Sequence, residues 1–236
     1  NNPDKILKSC LLETKKKLKA SGLSSRFINN NFHNPPTAQL AGEKILSKGA
    51  EFCALEVDKK WLLGRTIAIQ DINAYSRRDY ERPERDPKQG MLPPKLAQIL
   101  LNLSGATLGD TVYDPFCGIG TVLQEGLLMG INVIGSDISA DNIKKTRQNI
   151  DWLKKEYLPR AESHRDKALP DLRLFNKDAT LISKSDLPKP PAAIVTETFL
   201  GPPVSQLPPE SQIELNLAKV EHLIYGFLEA VRPLLA

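Results

Sequence analysis

Cysteine is scarce in this chain of 236 residues, which holds three of them. Cys10, Cys53 and Cys117 lie far apart and form no Cys-x-x-Cys pair, a pattern that argues against a disulfide framework and against a zinc site. The pattern suits a reducing cytosol, so we expect a cytoplasmic protein that holds no metal. The histidines are isolated, and we expect solvated or packing positions for them rather than catalysis: His33, His164 and His222.

Long apolar runs are also missing. No run approaches the ~20 residues that a membrane-spanning helix needs, so we expect no membrane partner. The first residue is Asn1 rather than Met, which we interpret as the sign of a fragment or a processed chain, and no signal peptide is recognisable. An apolar fraction of 41% and a charged fraction of 25% are ordinary for a globular protein. The net charge of +4 is by itself weak evidence for a nucleic-acid partner.

Residues 1–72 have the pattern of a small α+β unit. Apolar residues at helical spacing predict a basic amphipathic first helix, and Pro35 and Gly49 are placed to begin and end a second one. Two later strands are predicted to pair as a hairpin around residues 58–60. The predicted order is helix, strand, helix, strand, strand, at residues 4–19, 24–28, 35–49, 52–57 and 61–70.

Residues 73–94 are crowded with Arg, Asp, Pro and Gly, and we interpret them as a linker. Two interpretations of its arginine cluster stay open. The arginines either pair with neighbouring acidic residues in a solvated linker, or they contact phosphate, which suits the planar guanidinium group. The second makes four arginines candidate RNA-binding residues: Arg77, Arg78, Arg82 and Arg85.

From residue 95 onward strands alternate with helices, which predicts an α/β fold with a doubly wound sheet of parallel strands. Helices are predicted at residues 95–105, 121–130, 140–158 and 213–235. Strands are predicted at residues 111–117, 132–138, 172–180 and 192–200.

The stretch DPFCGIGT, from Asp114 to Thr121, carries the most information in the sequence. An apolar strand runs directly into two glycines separated by one residue, and a helix follows. Gly118 and Gly120 allow a tight turn and let a ligand approach the backbone. The helix that begins near Thr121 presents free N–H groups to an anion. This arrangement favours a nucleotide-like ligand.

Two more acidic residues stand at the ends of the following strands. Asp137 lies about twenty residues past the glycines, where a carboxylate can accept both hydroxyls of a ribose. Asp178 is placed to contact an adenine amino group, with Ala179 supplying backbone. Alternatively, each acid caps the helix or turn that follows it. Because ligands bind at the carboxyl ends of parallel strands, three successive acids favour a ligand site.

DPFCGIGT, GSDIS and NKDAT resemble the cofactor motifs of class I S-adenosylmethionine-dependent methyltransferases. Residues 61–71 and 75–103 resemble the junction in THUMP-containing tRNA guanosine methyltransferases, which modify the guanine 2-amino group. Residues 24–31 and 35–52 are similar to the closing part of a THUMP-type RNA-binding domain, whose early portion is absent from this sequence.

The resemblance implies a Rossmann-like methyltransferase sheet with a small N-terminal THUMP-like unit. It divides the chain into residues 1–72, a linker at 73–94 and a methyltransferase domain at 95–236. The family's sheet has three more strands after this point. The sequence ends before them, so we expect the final strands to be absent through truncation or supplied from elsewhere.

S-adenosylmethionine is the implied cofactor and tRNA the implied partner. Asp114, Gly118 and Gly120 would hold the methionine part, Asp137 the ribose and Asp178 the adenine. The segment from Met91 to Pro94 would close over the cofactor. The implied cofactor residues are Asp114, Gly118, Gly120, Thr121, Asp137, Ile138, Asp178 and Ala179.

The related tRNA enzymes carry a catalytic turn that reads Asp-Pro-Pro-Tyr. The matching residues here are Glu197, Thr198, Phe199 and Leu200, so the acid has one more methylene and both prolines and the tyrosine are lost. Glu197 is the candidate acceptor for an amino hydrogen, and Phe199 is the candidate for stacking on the base. Two alternatives stay open at this turn: an ordinary strand-end loop, and a site that binds cofactor or RNA without chemistry.

The leading hypothesis is methyl transfer from S-adenosylmethionine to the exocyclic 2-amino group of a guanosine in tRNA. A catalytically inactive RNA-binding protein that retains the methyltransferase fold is the first alternative. A DNA amino-methyltransferase is the second, and the THUMP-like leader disfavours it.

Overall fold

The computed structural model describes residues 3–28, 35–85, 91–157, 170–204 and 206–235. The chain divides into two compact units, residues 1–74 and residues 75–236. His33 and His164 lie outside the described residues. Within these ranges no helix combines the length and the apolar character needed to cross a lipid bilayer.

The first unit contains three helices and a hairpin in its described part: α1 (Pro3–Ala20), α2 (Thr37–Gly42), α3 (Ile45–Lys48), β1 (Phe52–Val57) and β2 (Lys60–Arg65). The predicted first helix and hairpin are confirmed. Val57 pairs with Lys60 in an antiparallel register, and the turn residues Asp58 and Lys59 have φ angles of 50° and 60°. A two-residue turn with two positive φ angles matches the right-handed twist of the strands.

Two predictions for this unit are wrong. Residues 24–28 form no strand, because side chains rather than a neighbouring strand hold them: Gln39 Nε2 donates to the Ile28 carbonyl at 3.0 Å, and Arg26 forms an ion pair with Glu43. The single helix predicted at 35–49 is divided between α2 and α3. Lys44 adopts the left-handed region, with φ of 53°, and this ends one helix before the next begins.

The second unit contains the predicted α/β arrangement. Its elements are α4 (Ile72–Tyr80), which begins just before the unit boundary, α5 (Pro94–Leu103), β3 (Thr111–Asp114), α6 (Thr121–Leu128), β4 (Asn132–Asp137), α7 (Ala140–Tyr157), β5 (Leu172–Asn176), β6 (Ala193–Ile194) and α8 (Glu210–Val231). The sheet order is β5-β4-β3-β6, and every neighbouring pair is parallel. The α/β fold class is confirmed.

Helices cover both faces of this sheet. Neighbouring residues of a strand point to opposite faces, so Val133 and Ile134 on β4 enter different clusters. Val133 packs with Leu123 of α6 and Ile150 of α7. Ile134 packs with Phe227 and other residues of α8 on the opposite face. The sheet is therefore doubly wound, with the carboxyl ends of its strands at one edge.

Two details of the second unit differ from the sequence-based expectation. The segment predicted as a plain linker carries the helix α4, which buries Arg78. The fourth strand is two residues long instead of nine, because the ladder to β3 continues only to the Val195 N–H, which donates to the Tyr113 carbonyl at 3.0 Å. The backbone beyond Val195 is released from the sheet at the edge where the acidic residues stand.

Candidate active site

Four acidic residues lie at one edge of the sheet. Asp114 ends β3, Asp137 ends β4, Asp178 follows β5 and Glu197 follows β6. Because parallel strands end at the same edge, the sheet order places these residues in the sequence Asp178, Asp137, Asp114, Glu197 along it. The carboxylates predicted from the strand ends therefore share one edge of the second unit.

The glycine turn between β3 and α6 requires residues without a side chain. Gly118 and Gly120 have φ angles of 51° and 87°, a region that other residues rarely adopt. A Cβ atom on Gly120 would lie 2.7 Å from Cγ2 of Thr146, so α7 closes tightly over the turn. Thr146 Oγ1 donates to the Gly118 carbonyl at 2.7 Å and fixes the turn from the same side.

Asp137 ties β4 to this turn. One carboxylate oxygen accepts from the Gly118 N–H at 2.9 Å. The other accepts from the Ser139 N–H at 2.8 Å and from Asn142 Nδ2 at 3.1 Å. The side chain is 8% exposed, so these donors hold it in place beside the glycines. The ribose contact assigned to Asp137 stays a prediction.

Asp114 is buried beside the turn, at 2% exposure. It accepts a hydrogen bond from Thr196 Oγ1 at 2.6 Å and from the Phe116 N–H at 3.2 Å. Burial raises the pKa of Asp114 to about 7, and the charges of Asp137 and Glu197 contribute in the same direction. The site thus holds a carboxyl group that would be stabilised by a cationic ligand. Sequence reasoning missed Thr196, which lies just after β6, the strand that pairs with β3.

Asp178 caps the short helical turn that follows β5. Its Oδ1 accepts from the Thr180 N–H at 2.9 Å and from Thr180 Oγ1 at 2.8 Å. This is the capping alternative considered for strand-end acids, and the adenine contact stays a prediction for the other carboxylate oxygen. Ala179, the next residue, is buried, whereas Ile138 is 73% exposed next to Asp137. Ile138 therefore offers an apolar surface at the same edge.

Glu197 and Phe199 are exposed where the chain leaves β6. Glu197 lies close enough to Asp114 for its charge to raise the pKa of that carboxyl. The Phe199 ring is 50% exposed, and Leu200 beside it is 75% exposed. An exposed acceptor and an exposed ring in one short segment could engage a planar base, so both catalytic assignments stay open as predictions.

Two of the four candidate RNA-binding arginines have other roles. Arg78 and Arg82 are 6% and 2% exposed, so they cannot contact an RNA phosphate in this structure, and for them the prediction is wrong. Arg78 forms a bidentate pair with Glu125 of α6, at 2.6 and 3.2 Å. These arginines are buried because residues of α6, distant in the sequence, bind them: Glu125 binds Arg78 and Thr121 binds Arg82.

Arg77 and Arg85 lie nearer the surface. Arg77 bonds Glu81 at 3.1 Å and Glu156 at 2.9 Å, with its side chain 38% exposed. The Arg85 guanidinium lies 5.0 Å from the centre of the Tyr80 ring. Their contact with RNA stays a prediction.

The linker also reaches the glycine turn, which sequence reasoning missed. Asn149 of α7 donates to the Ile119 carbonyl in the turn and to the Glu84 carbonyl in the linker, both at 3.0 Å. The Glu84 N–H returns a bond to Asn149 Oδ1 at 2.9 Å. The side-chain amide of Asn149 therefore joins the linker to the glycine turn through hydrogen bonds to both. No sequence signal marks this residue, because it sits among the polar residues of an amphipathic helix.

Part of the stretch that forms this edge matches a family model, and β6 and Glu197 lie beyond the match. Residues 82–187 match the UPF0020 family model, described as an RMKL-like methyltransferase domain. This region is similar to a methyltransferase domain. The match begins at Arg82 in the linker and includes the glycine turn, Asp137 and Asp178.

Individual relatives agree with this similarity. The chain is 37% identical over 107 residues to a protein of Methanothermobacter thermautotrophicus named tRNA (guanine(10)-N2)-dimethyltransferase, a stretch that covers 41% of this chain and 32% of that protein. It is 39% identical over 74 residues to the type II methyltransferase M.MjaII of Methanocaldococcus jannaschii, covering 29% of this chain and 14% of that protein.

A comparison of structures finds TrmN from Thermus thermophilus, at 18% identity and a TM-score of 0.45, covering 94% of this chain and 51% of that one. The chain spans about a third of the length of the Methanothermobacter thermautotrophicus protein, at 32%.

In the portions of the chain that are described, no cluster of three or more His, Cys, Asp or Glu side chains could hold a metal ion.

Proposed function

We propose that this chain transfers a methyl group from S-adenosylmethionine to the exocyclic 2-amino group of a guanosine in tRNA. The observation that carries the proposal is the match of residues 82–187 to a methyltransferase domain, because that stretch contains the glycine turn and three acidic residues of the candidate site, Asp114, Asp137 and Asp178. Relatives named tRNA (guanine(10)-N2)-dimethyltransferase support the substrate.

The residues at the sheet edge fit this cofactor. S-adenosylmethionine carries an ammonium group, a carboxylate, a ribose and an adenine, and when bound it supplies a methyl group attached to a positively charged sulfur. The edge offers the buried carboxyl of Asp114, two positive-φ glycines and the start of α6. Ile138 adds an exposed apolar surface at the end of β4. Each part of the ligand therefore finds a chemically suitable neighbour.

We assign the cofactor residues as follows. Asp114, ionised, pairs with the ammonium group of the methionine part, beside Gly118, Gly120 and Thr121. Asp137 accepts the ribose hydroxyls. Asp178 accepts a hydrogen bond from the adenine amino group, with the Ala179 backbone beside it and Ile138 against the adenine ring. The hydrogen bonds that already hold Asp137 and Asp178 preorganise both side chains, which lowers the cost of ordering them when the ligand binds.

Glu197 and Phe199 act on the substrate base. The guanine 2-amino nitrogen is a weak nucleophile, because its lone pair is delocalised into the ring. A carboxylate that accepts one amino hydrogen favours a pyramidal nitrogen and aims the lone pair at the methyl group. An aromatic ring stacks on a base that has left its own stack. The exposure of Glu197 and Phe199 beyond β6 supports both roles.

Residues 1–72 are proposed as the closing part of a THUMP-like RNA-binding unit, followed by the linker at 73–94 and the methyltransferase domain at 95–236. Lys15 and Lys19 of α1 line a cavity of about 310 Å³ together with residues 22–25. Clustered lysines attract the RNA backbone, because they neutralise phosphate and release counterions. A cytoplasmic location accords with this substrate.

The DNA alternative has one observation in its favour, the similarity to the type II methyltransferase M.MjaII. A competition assay separates the two substrates. The chain is incubated with radiolabelled S-adenosylmethionine and equal concentrations of bulk tRNA and duplex DNA. The proposal predicts that label enters the tRNA alone, and label in the DNA would favour the alternative.

The inactive RNA-binding alternative predicts a different pair of results. Binding to tRNA would fall steeply as salt rises, while no label would be transferred. Titration of S-adenosylhomocysteine by calorimetry completes the test. Binding of this product without turnover would leave a cofactor-binding protein, and absence of binding would remove the cofactor assignment.

A further inference from the structure

Arg82 carries a buried positive charge that forms no ion pair among the described residues, and the charges of Asp79 and Glu125 act on it without such a contact. Its side chain is 2% exposed. Nη1 donates to Thr121 Oγ1 at 2.7 Å, and Nη2 contacts Met91 Sδ at 3.4 Å. Among the described residues, Nε has no hydrogen-bond partner, and no carboxylate forms an ion pair with this guanidinium.

The neighbouring arginine shows the contrast. Arg78 shares its charge with Glu125 in a bidentate pair, and Gln98 Nε2 donates to the same carboxylate at 2.7 Å. The negative charge of Glu125 is therefore already matched by Arg78. A buried ion without a close partner is destabilising, so the position of Arg82 is explained if an anion joins it. Burial also lowers the pKa of Arg82.

Arg82 points this charge at the beginning of α6. Thr121 is the first residue of that helix, directly after the glycine turn. The N–H groups of a first helical turn lack partners within the helix, and the helix dipole is positive there. The Thr121 hydroxyl accepts from Arg82, so its own hydrogen can be donated onward. The Arg82 charge, the Thr121 hydroxyl and the free N–H groups of α6 thus all favour an anion at the start of this helix.

Negatively charged side chains lie near the glycine turn in the same unit. Asp114 and Asp137 stand at the ends of the two strands that flank the turn, and the Gly118 N–H bonds directly to Asp137. Asp137 therefore contacts the turn at Gly118, and Arg82 contacts the start of the helix at Thr121. A ligand group with an ammonium and a carboxylate on one carbon has the matching pattern of charge.

We infer that Arg82, acting through the Thr121 hydroxyl, is the counter-charge for the carboxylate of the cofactor's methionine part. The inference rests on the proposed function. Arg82 is a positioning residue in this account, because Thr121 and the first turn of α6 stand between it and the ligand.

Two ligands separate this role from a purely structural one. S-adenosylhomocysteine carries the amino-acid group, whereas 5′-methylthioadenosine has the same adenosine and thioether without it. Both are titrated by calorimetry against the unaltered chain and against Arg82→Met, Arg82→Lys and Arg77→Met. Arg77 is the matched control, because it is an arginine of the same segment with its side chain 38% exposed.

Arg82→Met is expected to weaken S-adenosylhomocysteine by roughly 10- to 100-fold, the range for a charge-assisted hydrogen bond, and to leave 5′-methylthioadenosine within about twofold. Arg82→Lys keeps the charge and is expected to recover part of the lost affinity. Arg77→Met is expected to leave both affinities unchanged. Equal weakening of the two ligands by Arg82→Met, or no weakening of either, would overturn the inference.

Thr121→Val provides a second variant that is nearly isosteric and keeps the arginine. It removes the hydroxyl between Arg82 and the ligand, and it is expected to show the same selective loss for S-adenosylhomocysteine. A loss shared by both ligands would count against the inference here too. If the unaltered chain binds neither ligand, the proposed function itself fails, an outcome distinct from failure of selectivity.

Discussion

The buried pair between Arg78 and Glu125 joins the linker helix α4 to helix α6 of the sheet. The two side chains are 7% and 1% exposed, and the Arg78 Nε to Glu125 Oε1 distance is 2.6 Å. Arg78→Met removes the guanidinium and keeps an apolar side chain of similar length. It leaves Glu125 buried with one close donor, Gln98 Nε2.

Removal of one partner from such a pair costs about 3–5 kcal/mol, because the remaining charge stays buried without its counter-charge. Arg77→Met is the matched control. Arg77 pairs with Glu156 at 2.9 Å, but these side chains are 38% and 31% exposed. Exposed pairs contribute about 0–1 kcal/mol, so the control is expected to lose little.

The free energy of unfolding is measured in urea by tryptophan fluorescence. The chain has two tryptophans. Trp61 is 59% exposed on β2, so Trp61→Phe provides a background in which Trp152 of α7 alone reports the second unit. An Arg78→Met loss no larger than the Arg77→Met loss would refute the account of the pair. So would a double variant Arg78→Met/Glu125→Gln that is no more stable than Arg78→Met.

The same variant has a predicted dependence on pH. Burial raises the pKa of Glu125 above its ordinary value, and Arg78 opposes that rise. Without Arg78 the pKa rises further. The folded state then binds a proton that the unfolded state lacks, so stability increases as pH falls through the window between the unfolded and folded values. The deficit of Arg78→Met is therefore expected to shrink as pH is lowered from neutral toward the unfolded glutamate value. A deficit that grows instead would contradict this sign.

Three further predictions concern the candidate site. Gly120→Ala is expected to cost about 1–2 kcal/mol for its left-handed backbone, and the contact with Thr146 should also abolish measurable binding of S-adenosylhomocysteine in calorimetry. Gly105→Ala, with a φ of 73° and open space around its Cβ, is the control that should lose stability and keep binding. The pKa of Asp114 is raised to about 7, so its carboxylate is protonated below that pH and S-adenosylhomocysteine should bind roughly 10-fold more weakly at pH 6 than at pH 8. Asp114→Asn should bind S-adenosylhomocysteine weakly at both pH values. If this variant kept the pH dependence, Asp114 would not be the group that causes it. Glu197→Ala is expected to lower single-turnover methyl transfer by about 10²–10³-fold with S-adenosylhomocysteine affinity unchanged, and full activity would remove Glu197 from the mechanism.

The parts of the fold that local sequence determines were predictable. The turn at Asp58 and Lys59, the two glycines after β3 and the alternation of strands and helices all depend on residues close together in the chain. The acidic strand ends were predictable for a related reason. Once a parallel sheet is inferred, the end of every strand falls at a known edge, so no long-range contact has to be guessed.

The errors arose where distant residues decide the structure. Arg78 has the composition of a solvated linker residue, and only Glu125, 47 positions later, makes it a buried one. The hydroxyl of Thr196 reaches Asp114 across 82 positions. Asn149 joins the linker to the glycine turn from a third element, across separations of 65 and 30 positions. Periodicity and motif spacing carry no information about these pairs, because each depends on how completed helices and strands pack.

The central claim is that methyl transfer occurs at the guanine 2-amino group of tRNA. It is tested most directly with two transcripts of one tRNA, the first containing guanosine and the second containing inosine, which lacks the 2-amino group, at every guanosine position. Each is incubated with this chain and labelled S-adenosylmethionine, digested to nucleosides and separated by chromatography. The account predicts label in N²-methylated guanosine from the first transcript and none from the second. Equal label in both transcripts, or label in another nucleoside, would contradict it.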